Sequence, residues 1–401
     1  MFAHASRERI QIHERGATYP GRCILVTLVG ILAALPLSLI AKEDPLVIGA
    51  VYNLHGFQAN LDLPSSRGAR LAVADANRSG GLLGRRVELA VVDGVSRPKV
   101  IAVKTAALLK RFPDLPALIG LSDTDMVLAA APVAADARLV FLTSGATSPL
   151  LPQQVPEFLF LACFGDNVQA AAAAESAWQD LEARSAAVLY ADADTYTNLL
   201  QGYFVTRFTE LGGVVGPIRA YTAGALDGLA DGLLDVDLVF LASASAEEAL
   251  NIIRLLRSAG VDAPVFGGDG YDSEELWQQA EVQDVYFTTH AYLGADSVDP
   301  LVQEFRAAYA AAYNSAEPDA FAALGFDTAR LIMEAIRAAG TTTPGAVRQA
   351  LAETRAFRGV TGTIGYPAGS AIPLKSVTIL RVVPGGTELF RQLQPAGVPV
   401  P

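Results

Sequence analysis

The chain has 401 residues, a formal net charge of −12 and a pI of about 4.9, which argues against nucleic acid or an anionic membrane surface as a partner. Two cysteines, Cys23 and Cys163, and four histidines exclude a disulfide framework and leave the common hydrolase triads short of parts. The length is more than one simple core needs and suits two lobes of ordinary size.

Residues 1 to 22 are polar and carry Arg7, Arg9, Arg15 and Arg22; Cys23 to Ile40 are uncharged, and Ala41 precedes Lys42-Glu43-Asp44. A basic region, an apolar core and a small-residue end read as a secretory signal peptide over 1–41. The alternative is an uncleaved membrane anchor. Removal of that leader leaves one cysteine, Cys163, and two histidines, His55 and His290, so no metal site rich in histidine is expected.

The rest alternates. Leu46 to Val51 reads as a buried strand ending in a loop, Asn53 to Pro64. Ser65 and Ser66 are expected to cap a helix whose Ala69, Ala72, Val73 and Ala76 recur at helical spacing until Asn77 and Gly80-Gly81 stop it. Strand 87–93, helix 98–111, a short strand at Leu118-Ile119-Gly120 and an alanine-rich helix through Ala131 follow. Next comes Arg138 to Pro149, an apolar run that breaks at Leu142 into Thr143-Ser144-Gly145-Ala146-Thr147-Ser148. At the carboxyl end of a buried parallel strand, such a hydroxyl-rich loop offers short donors and backbone N–H groups to a ligand; as a plain surface turn it would need the same residues. The pattern restarts after Phe164: helix 166–183, strand 186–190, acidic loop Asp192 to Tyr196, helix 197–211, strand 236–241, Ser243-Ala244-Ser245, helix 246–259, and strand 264–266 ending in Gly267-Gly268-Asp269-Gly270. Strand and connector at 284–293, helices 299–313, 319–339 and 344–353, and strands near 360–366 and 375–383 close the chain. Strict alternation predicts an α/β fold of two lobes, each a parallel sheet flanked by helices.

Arg67-Gly68-Ala69-Arg70-Leu71-Ala72-Val73-Ala74-Asp75-Ala76-Asn77, followed by Gly80-Gly81-Leu82-Leu83-Gly84-Arg85, resembles a signature of type I periplasmic binding proteins, in particular the leucine/isoleucine/valine-binding solute receptors of ABC transporters. The likeness continues through Gly120–Pro132, Thr143–Pro149, Asp192–Tyr196, Leu255–Gly260, Gly267–Gly270 and Thr361–Tyr366. It implies two Rossmann-like lobes joined by three crossings, near Phe158–Phe164, His290–Leu293 and Ala356–Thr361, with the ligand trapped between them by hinge closure. The first lobe would be 45–160 plus 293–357 and the second 161–290 plus 360–393.

The same resemblance assigns the ligand carboxylate to Thr124 and Thr147 with the Gly145 and Ala146 backbone, an aromatic lid to Tyr196 and the ammonium partner to Asp269. Helix N-termini favour a negative group without a counter-cation, and a buried carboxylate such as Asp269 calls for a positive partner. Each has an ordinary alternative, Thr124 as a helix cap, Tyr196 as a strand-end aromatic and Asp269 as a turn residue.

The chain departs from the family at Asn53-Leu54-His55-Gly56-Phe57, at Ser243-Ala244-Ser245 and at Phe160-Leu161. His55, Ser243 and Ser245 therefore join the candidate ligand contacts, and the branched-chain assignment stays open beside another amino acid, an amide or a small organic acid. No nucleotide, phosphate-loop, serine-elbow or zincin motif is present, and Cys163 among Phe160, Leu161, Ala162 and Phe164 reads as an inert buried thiol. The expectation is a periplasmic receptor without cofactor, metal or catalysis, delivering a small ligand to a membrane permease, with a ligand-sensing component as the rival.

Overall fold

The computed structural model describes residues 44–222 and 224–401; the expected signal peptide lies outside them. In chain order the elements are β1 (Leu46–Tyr52), α1 (Ala59–Arg78), β2 (Val87–Asp93), α2 (Pro98–Arg111), β3 (Leu118–Gly120), α3 (Thr124–Asp136), β4 (Phe141–Thr143), α4 (Leu151–Gln154), β5 (Leu159–Leu161), α5 (Asp166–Gln179), β6 (Ser185–Ala191), α6 (Thr195–Glu210), β7 (Val214–Tyr221), β8 (Leu238–Ala242), α7 (Ala246–Ser258), β9 (Val265–Gly267), α8 (Glu274–Gln278), β10 (Val285–Thr289), α9 (Pro300–Ala312), α10 (Ala320–Ala339), α11 (Pro344–Ala352), β11 (Phe357–Gly359), β12 (Gly362–Ile364), β13 (Val377–Val383) and β14 (Gly386–Leu393). None of the described helices is long and apolar enough to cross a membrane.

The first sheet runs β2-β1-β3-β4-β5 and all its pairs are parallel. The second runs β14-β13-β10-β9-β8-β6-β7. Its five parallel strands, β7-β6-β8-β9-β10, repeat the order of the first sheet, and antiparallel β13 and β14 extend one edge. In each sheet the strand order reverses beside the lobe's first strand, between β1 and β3 and between β6 and β8. Such switch points leave a crevice at the carboxyl ends of the strands, where a ligand fits.

Central strands are apolar because both faces are covered: β3, β4, β5, β8, β9 and β10 are buried throughout. The first lobe owes much of its cohesion to a close crossing of α1 and α10. A Cβ added at Gly68 would stand 1.9 Å from the Ala322 carbonyl oxygen, and one at Gly325 would stand 1.9 Å from that of Ser65. This contact explains one departure from expectation. Ser65 and Ser66 do not cap α1, which begins at Ala59 and carries Pro64 inside it; both serines are buried.

Strands β5, β7 and β14 escaped the sequence reading. Strand β7 alternates exposed and half-buried residues and contains Pro217, which an edge position tolerates because that N–H has no neighbour to serve. Strand β14 is likewise a polar edge. A third difference concerns the lobes. The β11–β12 hairpin, with Val360, Ile364 and Tyr366, packs against Phe160 and Ala162 in one core, whereas the expected division gave 360–366 to the second lobe. Asp327 of α10 holds the hairpin in place by accepting from the N–H groups of Val360 (2.9 Å) and Thr361 (2.7 Å).

The crossings touch one another. The Tyr366 hydroxyl donates to the Leu161 carbonyl at 2.8 Å, Lys375 Nζ donates to Thr361 Oγ1 at 2.6 Å and lies 3.3 Å from the Ala162 carbonyl, and Phe164 stacks on His290 at 3.9 Å.

Candidate functional site

Where the strand ends of the two sheets converge, a cleft of about 330 Å³ is lined by Gln58, Leu61, Ser122, Asp123, Thr124, Gly145, Thr147 and Phe321 from the first lobe and by Tyr196, Ala244, Asp269 and Gly270 from the second. A wider hollow of about 1060 Å³ opens elsewhere, beside Asp272, Tyr292 and Arg306, but its wall contains none of the residues expected from the sequence.

On the first-lobe side, Thr124 is the first residue of α3, and Asp123 caps that helix by accepting from the Met126 N–H at 3.0 Å. The Thr124 hydroxyl makes no hydrogen bond to another described residue, so it stands free at the positive end of a helix of 13 residues. Thr147 is buried in the loop after β4, and its carbonyl accepts from the Asp166 N–H at 2.7 Å. Together these positions present hydroxyls and backbone N–H groups to an anionic group.

The second-lobe side centres on Asp269, which is 3% exposed. Its Oδ1 accepts from the Tyr196 hydroxyl at 2.8 Å and from Gln169 Nε2 at 2.8 Å, and its Oδ2 lies 3.0 Å from His290 Nε2. Burial pulls the pKa of His290 down, which makes the ring a neutral donor. Gln169 Nε2 also reaches Asp166 Oδ1, at 3.0 Å. Burial, with the charge of Asp269 second, pushes Asp166 up to about 8. No Lys or Arg lines the cleft beside these two carboxyls.

Five of the nine residues expected from the sequence therefore meet around one cleft: Thr124, Gly145, Thr147, Tyr196 and Asp269. The other four do not reach it. His55 is exposed and pairs with Asp93 at 2.6 Å. Ser245 caps α7, accepting from the Glu248 N–H, while the Ser243 hydroxyl donates to Glu248 Oε2 at 2.7 Å. Both serines turn toward their own helix, and Ala244 faces the cleft between them. Ala146 is packed in the core, its carbonyl facing the Cys163 thiol at 3.2 Å. Residues missed by the sequence reading include Asp123, which its capping position before Thr124 could have revealed. Gln58 and Phe321 gave no local signal, since each enters the cleft through the packing of α1 against α10.

Three carboxyls around the cleft are raised, Asp62 and Asp123 to about 7 and Asp166 to about 8, in each case chiefly by burial. The unfolded chain ionises these groups near pH 4, whereas the folded one keeps their protons to pH 7 or above. It follows that stability falls as pH rises through that window. The lowered pKa of His290 acts in the opposite sense, against these three and against Asp272 and Asp319, which burial raises to about 6 and about 8. The melting temperature of the ligand-free protein is expected to be about 5 °C higher at pH 5.5 than at pH 8; an equal or lower value at pH 5.5 would contradict the assigned protonation of the cleft.

The periplasmic binding protein family model matches residues 45–387. A Leu/Ile/Val-binding protein homolog from Brucella suis is 26% identical over 315 residues, covering 75% of this chain and 80% of its own length. Among solved structures, a leucine-binding protein, LivK, of Thermotoga maritima is 27% identical with a TM-score of 0.78, covering 87% of this chain and 99% of that one. The branched-chain amino acid transporter substrate-binding protein LivJ of Streptococcus pneumoniae, in complex with isoleucine, is 26% identical with a TM-score of 0.78, covering 88% of this chain and 100% of its own.

Proposed function

We propose that this chain, which belongs to the periplasmic binding protein family, captures one free α-amino acid between its lobes outside the cytoplasm and presents it to the membrane permease of an ABC transporter. The observation that carries the reading is the polarity of the cleft. One wall offers a helix N-terminus with the Thr124 and Thr147 hydroxyls, and the facing wall offers a buried carboxylate, Asp269, with neutral donors and no cation. A zwitterion satisfies both at once, its carboxylate toward α3 and its ammonium toward Asp269. The names of the relatives, which bind leucine, isoleucine or valine, support the amino-acid class.

Each lobe supplies half of the hydrogen bonds, so only the state with the lobes together completes them. Ligand thereby shifts an open–closed equilibrium about the three crossings. Binding needs no bond to be made or broken, and the reading assigns no residue a catalytic role.

A thermal-shift screen of free amino acids tests the proposal, because a ligand that prefers the folded, closed form raises the melting point. For Thr147→Val, titration calorimetry with the best ligand is expected to show a loss of about 1–3 kcal/mol, as when a bound acceptor loses its donor. A loss confined to stability, with affinity unchanged, would return Thr147 to a purely structural part. If no amino acid raises the melting point, the proposed ligand class is wrong.

A further inference from the structure

A zwitterion's two charged ends use only part of the cleft. The rest of its first-lobe wall is Gln58, Leu61, Ser122, Asp123 and Phe321, and the polar members there are short of donors. Gln58 spends its Nε2 on Asp123 Oδ2, at 2.9 Å, and its Oε1 accepts from no described residue. The Ser122 hydroxyl lies beside the Asp62 carboxyl, is buried, and has no hydrogen-bond partner of normal geometry; neither has Asp62 Oδ1. Both residues are more than nine-tenths buried. Asn53 takes up only the other oxygen of Asp62, through its backbone N–H at 2.8 Å and its Nδ2 at 2.9 Å. Buried polar atoms of this kind are partnered in the great majority of proteins, and here the orphans sit at and just behind the cleft wall.

Charge points the same way. Asp125 of the first lobe accepts from the Thr195 hydroxyl of the second at 3.0 Å, which brings Asp194, the cap of α6, near Asp123. Three acidic side chains, Asp123, Asp125 and Asp194, thus come together where the lobes meet, and no Lys or Arg lines the cleft. A branched aliphatic side chain placed here would leave Ser122 and Asp123 against carbon. A group made only of donors, with a positive charge, would serve all of them.

Resting on the amino-acid reading above, we infer that Gln58, Ser122 and Asp123, backed by Asp62, form a subsite for the far end of the ligand side chain and select a cationic one, an ammonium or guanidinium, over a branched aliphatic.

Calorimetry on the purified protein with L-arginine, L-lysine, L-leucine and L-isoleucine is the test. At least one of the two cationic amino acids should bind at least 50-fold more tightly than either aliphatic one. Asp123→Asn, which can still cap α3, should lower the ratio of cationic-ligand affinity to leucine affinity at least tenfold. Ser122→Ala should likewise narrow the preference. Leucine binding as tightly as arginine and lysine would overturn the subsite while leaving the amino-acid reading standing. So would an unchanged arginine-to-leucine ratio in a folded Asp123→Asn variant. If none of the four binds, the subsite falls, and the broader amino-acid screen decides whether the reading beneath it falls too.

Discussion

Asp269→Ala should reduce affinity for an amine-bearing ligand by about a thousandfold or more, the cost of leaving a desolvated ammonium without its counter-charge. The size follows from the surroundings of the carboxylate. It is buried, its donors are the neutral groups of Tyr196, Gln169 and His290, and no side-chain cation lines the cleft to take over its role. Removing it also strands three donors, so the alanine variant is expected to lose stability as well. Asp269→Asn separates the two effects: it keeps shape and one acceptor oxygen but discards the charge. Calorimetry on the asparagine variant should show a melting temperature within a few degrees of the parent and an affinity at least a hundredfold weaker. An asparagine variant that binds as the parent does would show that Asp269 is a structural hub and that the amine is held elsewhere.

The second large effect concerns the scaffold. Gly325→Val is expected to destabilise the protein by at least about 3 kcal/mol, because the first carbon of the new side chain would stand 1.9 Å from the Ser65 carbonyl oxygen. The neighbour is backbone, so relief requires α1 and α10 to move apart. That movement would also disturb the cleft, to which α10 contributes Phe321 and the start of α1 contributes Leu61. Gly202→Ala in α6 is the contrasting case. Nothing lies within 4 Å of the added carbon, and a gain of about 0.5–1 kcal/mol is expected from helix preference alone. Chemical denaturation of both variants reads the difference; a Gly325→Val protein as stable as the parent would mean that the helix crossing is looser than drawn.

Much of the architecture was legible because it rests on local signals. The alternation of short apolar runs with helical periodicity specifies two parallel sheets, and the helices expected at 98–111, 246–259 and 319–339 stand at 98–111, 246–258 and 320–339. Edge strands gave a poor signal. Strand β7 is half exposed and contains Pro217, so neither burial nor composition marks it as a strand until β6 is seen beside it.

For the site, the division is sharper. Sequence by itself determined which loops end at strand termini, since chain order in a parallel α/β fold places such loops on one edge of each sheet, and the family resemblance singled out Thr124, Thr147, Tyr196 and Asp269 on them. Only the tertiary structure decided which side chains on those loops turn inward. Ser243 and Ser245 satisfy their own helix while Ala244 faces the cleft, and His55 is drawn outward by Asp93. It also brought in residues remote in sequence: Gln58 and Phe321 reach the wall through the α1–α10 crossing, and His290 and Gln169 brace Asp269 from a crossing strand and from α5. The physical reason is one of range. Hydrophobic period and turn chemistry act over a few residues, whereas the direction of a side chain at a cleft is set by hydrogen-bond partners up to a hundred residues away.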